Sequence, residues 1–345
     1  MTMIRHPKEI KCLVWDLDNT VWSGVLLEGD ALRLRDGVPD VIRTLDGRGI
    51  LQSIASRNDH GIAIGKLKEF GLGEYFLYPQ ISWGPKSTSV QTIAKLLNIG
   101  TDSLAFIDDD PFERGEVAAS VPGVRCFDAA EFASLVHKPE MNPRFITEDS
   151  RKRRSMYRAE FERQRTEAIM PPEEFLPSLG MVFTISHAGE SDLARIEELT
   201  IRTNQLNSTG YTYSYEELDF FRRSSSHRLF IAGLDDRYGT YGKVGMALVE
   251  CSQYTWLLKL LLMSCRVMSR GVGKVLLSYV LQMAATEGKP VQAEFVRTDR
   301  NRLMYLTFKL AGFREIERNG NVVVLEHGLD PIEPSPRHVQ VVVPP

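Results

Sequence analysis

The chain has 345 residues, which at roughly 100–200 residues per domain points to two compact domains. Its 42 Lys and Arg stand against 45 Asp and Glu, a formal charge of -3. No global basic field exists to gather nucleic acid or an anionic membrane surface, so neither is expected as a partner, and 43% hydrophobic residues with 25% charged ones exclude a disordered chain.

The segment from Met1 to Ile10 carries His6, Lys8 and Glu9 and no apolar run, so no secretory leader is expected. From Ile10 to Val136 short apolar runs at Ile10–Trp15, Ile50–Ala55, Leu104–Ile107 and Val124–Phe127 alternate with helical patterns. That rhythm predicts an α/β domain over 1–140 with a Rossmann-like parallel sheet. Ligands of such sheets sit beyond the carboxyl ends of the strands, which singles out Asp16, Ser56 and Asp108. A helical linker is expected over 141–178, with Pro171, Pro172 and Pro177 marking the boundary. Its basic run Arg151-Lys152-Arg153-Arg154 reads as a solvated helix face paired with Glu160, Glu162 and Glu167.

Over 179–329 the runs Met181–Ser186, Leu229–Ala232, Lys243–Cys251, Trp256–Val267, Val291–Glu294 and Val322–Leu325, with helical patterns between them, predict a mixed, largely antiparallel α+β sheet. The stretch Trp256–Met263 is interrupted by Lys259 and falls far short of the roughly 20 residues of a membrane span. Residues 330–345, rich in proline, read as a loosely held tail. The four cysteines are Cys12, Cys126, Cys251 and Cys265, with no CxxC pair, which argues against a disulfide framework or structural zinc and for a reducing cytoplasm. Cys12, Cys126 and Cys251 read as small buried hydrophobes, and His187 and His227 as structural.

Two constellations carry chemistry. In Val14-Trp15-Asp16-Leu17-Asp18-Asn19-Thr20 two carboxylates follow the end of a strand, a density of charge that calls for a hard divalent cation such as Mg²⁺. Asp108-Asp109-Asp110 ends another strand and supplies a further ligand. Ser56, Arg57 and Asn58 follow a third strand and offer donors for phosphoryl oxygens, with Lys86 as a neutralising ammonium. In order and spacing this set resembles the haloacid dehalogenase superfamily. The resemblance implies Asp16 as nucleophile, Asp18 as general acid and base, Ser56 and Lys86 as phosphoryl ligands, and Mg²⁺ held by Asp16, the Asp18 carbonyl and Asp109, with Asp108 the alternative ligand. Fewer than twenty residues separate Thr20 from the helix near Pro39, and about thirty separate Ser56 from Lys86. Neither interval holds a large cap domain, so a lid is expected from the second domain.

The second constellation is an apolar strand, the turn Arg270-Gly271-Val272-Gly273-Lys274, and a helix running to about Glu287, whose first amides suit a pyrophosphate or phosphopantetheine phosphate, or else the turn merely connects strand to helix. With Asn301 and the later Gly312-Phe313 it resembles the GNAT acyltransferase fold. Met268 stands where that signature carries Gln or Arg, which implies a carrier-bound phosphopantetheine arm in place of free coenzyme A. Asn204, Gln205 and Asn207, from Arg202-Thr203-Asn204-Gln205-Leu206-Asn207, offer amides to glyceryl hydroxyls or that arm, or else serve as turn and cap residues. Cys265 lies beside Arg266 near the strand end, where a thiolate would be stabilised and could carry an acyl group, or else packs.

The two halves in this order resemble the FkbH-like proteins of polyketide biosynthesis over nearly the whole chain. That resemblance implies an enzyme transferring a glyceryl group from 1,3-bisphosphoglycerate, or a related phosphorylated three-carbon acid, to the phosphopantetheine thiol of an acyl carrier protein, with Mg²⁺-dependent dephosphorylation. The alternatives are a plain Mg²⁺-dependent phosphatase whose second domain recognises a partner or caps the site, and a catalytically idle scaffold.

Overall fold

In a computed structural model the described residues are 9–328 and 331–343, so the leader expectation at 1–8 lies outside them. The chain divides into two compact units, Met1–Arg158 and Ala159–Pro345, and the expected linker is shared between the two.

The first unit runs β1 (Cys12–Trp15), β2 (Trp22–Ser23), β3 (Arg33–Leu34), α1 (Val38–Gly47), β4 (Leu51–Ser56), α2 (His60–Glu69), β5 (Gln80–Ile81), α3 (Lys86–Leu97), β6 (Leu104–Asp108), α4 (Pro111–Ser120), β7 (Arg125–Asp128) and α5 (Glu148–Arg151). The main sheet has the order β5-β4-β1-β6-β7 with every neighbour parallel. Strands β1, β4 and β6 are buried along their whole length, as a sheet covered on both faces requires. Leu13 and Trp15 face the core built with Val41, Ile42 and Leu45 of α1. Cys12 and Val14 face the opposite core with Val90, Ile93 and Val117 of α3 and α4, the period of two that a pleated strand imposes. Because β4 and β6 flank β1 on opposite sides, the chain reverses its winding direction at β1, and the crevice at its carboxyl end is where an open α/β sheet binds ligands.

The second unit includes most of α6 (Arg153–Glu167), then α7 (Pro172–Ser178), β8 (Met181–His187), α8 (Leu193–Arg202), α9 (Tyr215–Arg223), β9 (His227–Asp236), β10 (Gly239–Cys251), β11 (Trp256–Met263), α10 (Val275–Thr286), β12 (Val291–Val296), α11 (Arg302–Leu310), β13 (Arg314–Asn319), β14 (Val322–His327) and β15 (Val339–Val342). One sheet takes the order β13-β14-β12-β11-β10-β9-β8-β15. It is antiparallel except where β11 meets β12 and β15 meets β8. Alternation again builds two cores: Leu261 and Met263 pack with Val280 of α10 and Phe308 of α11, while Leu260 and Leu262 pack with Ile196 of α8 and Leu218 of α9. The α/β class read from the sequence is the one found, a parallel sheet followed by a separate mixed sheet.

Three local readings are corrected, and one strand was not anticipated. The strand expected to reach Val267 ends at Met263, and Cys265–Arg270 forms a 3₁₀ turn, begun where the Ser264 hydroxyl accepts from the Arg266 amide. Every residue of β13 is exposed, so that strand carries no apolar alternation for a sequence reading to find. In the expected loose tail, Val339 to Val342 pair with Met181 to Thr184, because Val339 and Val341 pack on the core; Asp330, Pro344 and Pro345 lie outside the described residues. The basic run finds partners other than its own helix: Lys152 pairs with Glu148, and Arg154 with Asp46 and Glu74.

Candidate active site

At the carboxyl ends of β1, β4 and β6 a group of polar side chains is buried at once: Asp16, Ser56, Asn58, Lys86 and Asp108 are all less than a tenth exposed. Each arrives by a short route. The Asp16 amide donates to the Ile107 carbonyl, 2.9 Å away, which continues the β1–β6 ladder by one residue. Lys86 is the first residue of α3, placed by Pro85. Asp110 caps α4 through the Phe112 amide, 2.8 Å away, with Pro111 opening the helix.

The Lys86 ammonium donates to Asp16 Oδ1 at 2.8 Å and to Asp108 Oδ2 at 2.6 Å. Asp16, Asp108 and Asp109 each offer a carboxylate oxygen, all within 4.8 Å of one another. Three carboxylates against one ammonium leave a surplus of negative charge. Burial pushes Asp16 up to about 7, opposed by Lys86 and reinforced by Asp108. Burial raises Asp108 too, again against Lys86. Burial disfavours the Lys86 ammonium, but the two carboxylates outweigh it and its pKa is raised. A divalent cation on the three aspartates would remove the surplus, and oxygen-only ligation suits Mg²⁺. These residues fit such an ion.

Asp18 does not join that carboxylate group. Its Oδ1 accepts from Trp22 Nε1 at 2.7 Å and from the Leu26 amide at 3.1 Å, and its Oδ2 accepts from Asn58 Nδ2 at 2.9 Å. These donors occupy its carboxylate, so the ligand role that the resemblance implies for Asp18 falls to its backbone carbonyl and not to its side chain. Asn58, expected on phosphate, is engaged by Asp18. Arg57 pairs with Glu113 at 3.0 Å. Ser56 hydrogen-bonds Asp16. Sequence reasoning missed Trp22 and Thr20, whose hydroxyl lies 3.5 Å from Asp109 Oδ1; the signal was an indole four residues beyond Asp18 in the same turn.

In the second unit β11 and β12 pair over Trp256–Leu258 and Val291–Ala293 and then part. The loop after α8 enters the gap: Met263 N donates to Leu206 O, Leu261 N to Ser208 Oγ, and Val296 N to Ser208 O, each at 2.9–3.0 Å. Beside it lies an apolar groove of about 260 Å³ lined by Leu206, Met263, Val267, Met268, Leu303 and Leu310, with Gly273 at its edge. Cys265 is exposed, its sulfur 3.8 Å from Gln205 Oε1. Exposed Asn204 and Arg266 flank that pair in sequence.

Three expected ligands are turned inward. Asn207 Oδ1 accepts from the Thr209 and Gly210 amides, and Asn301 Nδ2 donates to the Asn207 and Val296 carbonyls, so both clamp loops. Arg270 is 2% exposed, bonded to the Tyr241 hydroxyl at 2.9 Å and Glu160 at 3.1 Å. Gly271 has φ of 73°, and a Cβ there would come within 3.1 Å of His338. Lys274 pairs with Glu333 at 3.0 Å. The chain's own later residues therefore stand against the turn expected to hold a phosphate. Cys12 is a buried core thiol, while Cys126 and Cys251, expected to be buried, are only partly so; burial pushes all three up, Cys126 to about 11.

No family model matches the chain, and no curated protein matches it. Similar solved structures include the N-terminal part of BF1531 from Bacteroides fragilis, which contains a phosphatase domain and is complexed with Mg: 30% identity over 39% of this chain and 40% of that one, with a TM-score of 0.34. The chain thus spans well under half the length of that structure. Others are the ribosomal-protein-S18-alanine N-acetyltransferase from Escherichia coli, 14% identical over 44% of this chain and 96% of that one (TM-score 0.36), and the PaiA N-acetyltransferase from Thermoplasma acidophilum in complex with coenzyme A, 15% identical over 42% and 98% (TM-score 0.35). Among the described residues no helix is long and apolar enough to cross a membrane.

Proposed function

We propose that the chain is an FkbH-like enzyme, a haloacid-dehalogenase-type unit followed by a GNAT-like unit. It transfers a glyceryl group from 1,3-bisphosphoglycerate to the phosphopantetheine thiol of an acyl carrier protein in the cytoplasm, with loss of phosphate, supplying a three-carbon unit for polyketide biosynthesis. The observation that carries this reading is the buried cluster of Asp16, Lys86 and Asp108, joined by the exposed Asp109, at the switch point of a parallel sheet.

Asp16 holds Lys86 with Oδ1, which leaves Oδ2 to attack phosphorus as the bond from phosphorus to the leaving oxygen breaks. Asp18, fixed by three donors, supplies the proton to that oxygen and afterwards takes one from the water that releases phosphate. Ser56 and Lys86 orient the phosphoryl oxygens. A bound Mg²⁺ would neutralise charge on the phosphoryl group and on the three aspartates. In the second unit the groove between the β11 end and α11 takes the apolar part of the pantetheine arm, with Cys265 and Gln205 nearby.

Intact-protein mass spectrometry after incubation with 1,3-bisphosphoglycerate, Mg²⁺ and a phosphopantetheinylated carrier tests this, beside an Asp16→Asn control. A glyceryl increment on the carrier, absent in the control, is the expected result. The inward engagement of Asn207, Asn301 and Arg270 favours a second reading, a phosphatase with a recognition unit, which predicts free phosphate and no acyl adduct on either protein.

A further inference from the structure

A cavity of about 680 Å³ lies in the second unit, lined from the carboxyl end of β12, the first turns of α11, and β13 and β14. It shares Leu306 with the apolar groove and otherwise has its own lining. Three guanidinium groups line it, those of Arg297, Arg302 and Arg318. Arg318 is held by Glu315 through two contacts of 2.7 and 2.8 Å. Among the described residues no ion pair or hydrogen bond engages the guanidinium of Arg297 or Arg302, and both residues are exposed.

Two unpaired guanidiniums facing one cavity repel each other until an anion enters. A phosphoryl group answers that need best, because its three oxygens accept forked donation from more than one arginine. The amino end of α11 adds to the same field: no side chain caps it, since Asn301 Oδ1 accepts from the Thr298 amide instead. Asp299, also in the lining, presents carboxylate oxygens that accept from hydroxyl groups and would repel a second anion placed on them, while the Thr298 hydroxyl, whose oxygen accepts from the Arg300 and Asn301 amides, keeps its O–H to donate. The volume falls within the roughly 300–1,000 Å³ of small-molecule sites.

We propose that this cavity binds a small hydroxylated phosphomonoester, its phosphoryl group on Arg297 and Arg302 and its hydroxyls on Thr298 and Asp299. Resting on the function proposed above, the ligand is the phosphoglyceryl portion of the donor, carrying the ester phosphate that thiol attack at the acyl carbon leaves in place.

Calorimetric titration of the full-length Asp16→Asn chain without Mg²⁺ tests the site, with 3-phosphoglycerate, glycerol 3-phosphate and glycerate as probes. Both phosphorylated probes are expected to bind, and glycerate about tenfold more weakly or worse. Adding Arg297→Gln and Arg302→Gln together should weaken the phosphorylated probes by at least about tenfold. If that variant melts lower than its parent, Arg297→Lys with Arg302→Lys, which keeps the charge and loses the fork, is expected to weaken them by a smaller factor. Unchanged affinity in these variants, or glycerate binding as tightly as its phosphorylated form, overturns the proposal. A site that binds as expected in a chain that acylates no carrier sinks the transferase reading alone, and the reverse outcome sinks this site alone.

Discussion

At Lys86 one ammonium stands between two carboxylates, and both contacts are buried. Removing one partner of a buried ion pair costs about 3–5 kcal/mol, because the charge left behind has no solvent. Lys86→Met should therefore lower urea-unfolding stability by about that much in chelator, with most of it regained in Mg²⁺; unchanged stability in chelator would refute the balance described here. The aspartates also set a pH dependence. Asp16 moves from 3.8 unfolded to about 7 folded, and Asp108 shifts the same way, so between those values the native state holds more protons than the unfolded one. Stability of the Mg²⁺-free protein should then fall as pH rises from about 4 to about 7, and Mg²⁺ affinity should rise over the same range, since metal and proton compete for these oxygens. Denaturation midpoints with and without Mg²⁺ check both signs. A third expectation concerns Trp22: Trp22→Phe keeps the ring and deletes the Asp18 donor, and should slow phosphate release about tenfold or more while leaving Mg²⁺ affinity unchanged. The aspartates and Ser56 were legible because strand ends announce themselves, and Lys86, the first residue of α3, through its order and spacing relative to them. Trp22 was not, since a buried aromatic reads as core until its N–H is seen to have a partner.

Among the elements, the parting of β11 from β12 is the informative one. The apolar run of β11 and the alternating β12 were both legible as strands; that they separate after three residue pairs is a matter of tertiary packing, which no periodicity records. The backbone groups so released are taken by Leu206 and Ser208, so the loop that carries the expected ligand amides of Asn204, Gln205 and Asn207 also repairs the sheet. Ser208→Ala would leave the Leu261 amide buried without its hydroxyl acceptor, a loss of about 1–3 kcal/mol in stability. Chemical denaturation reads it, and a neutral substitution would mean water or a shifted loop replaces the hydroxyl. Strand β15 was hidden for the opposite reason: prolines upstream outweighed a four-residue apolar run that pays its way only once β8 offers an edge.

For the molecule as a whole, length alone pointed to two domains, and the chain divides into two compact units after Arg158, within the segment 141–178 expected as a linker. The three aspartates all belong to the first unit. Scanning calorimetry of the intact chain should accordingly show Mg²⁺ raising the melting transition of that unit by mass action while leaving signals from the second unit in place. A uniform shift of all signals would show that the units melt as one.

The loop seated between β11 and β12 also makes a kinetic statement. Because the amides of Leu261, Met263 and Val296 are donated to its backbone and hydroxyl oxygens, their protons exchange with solvent only when the loop lifts. Any ligand that runs along β11 must wait for the same opening. The exchange lifetimes of those three amides therefore form an internal clock for access to the gap, and a loop that never lifts would confine every ligand to the groove beside it.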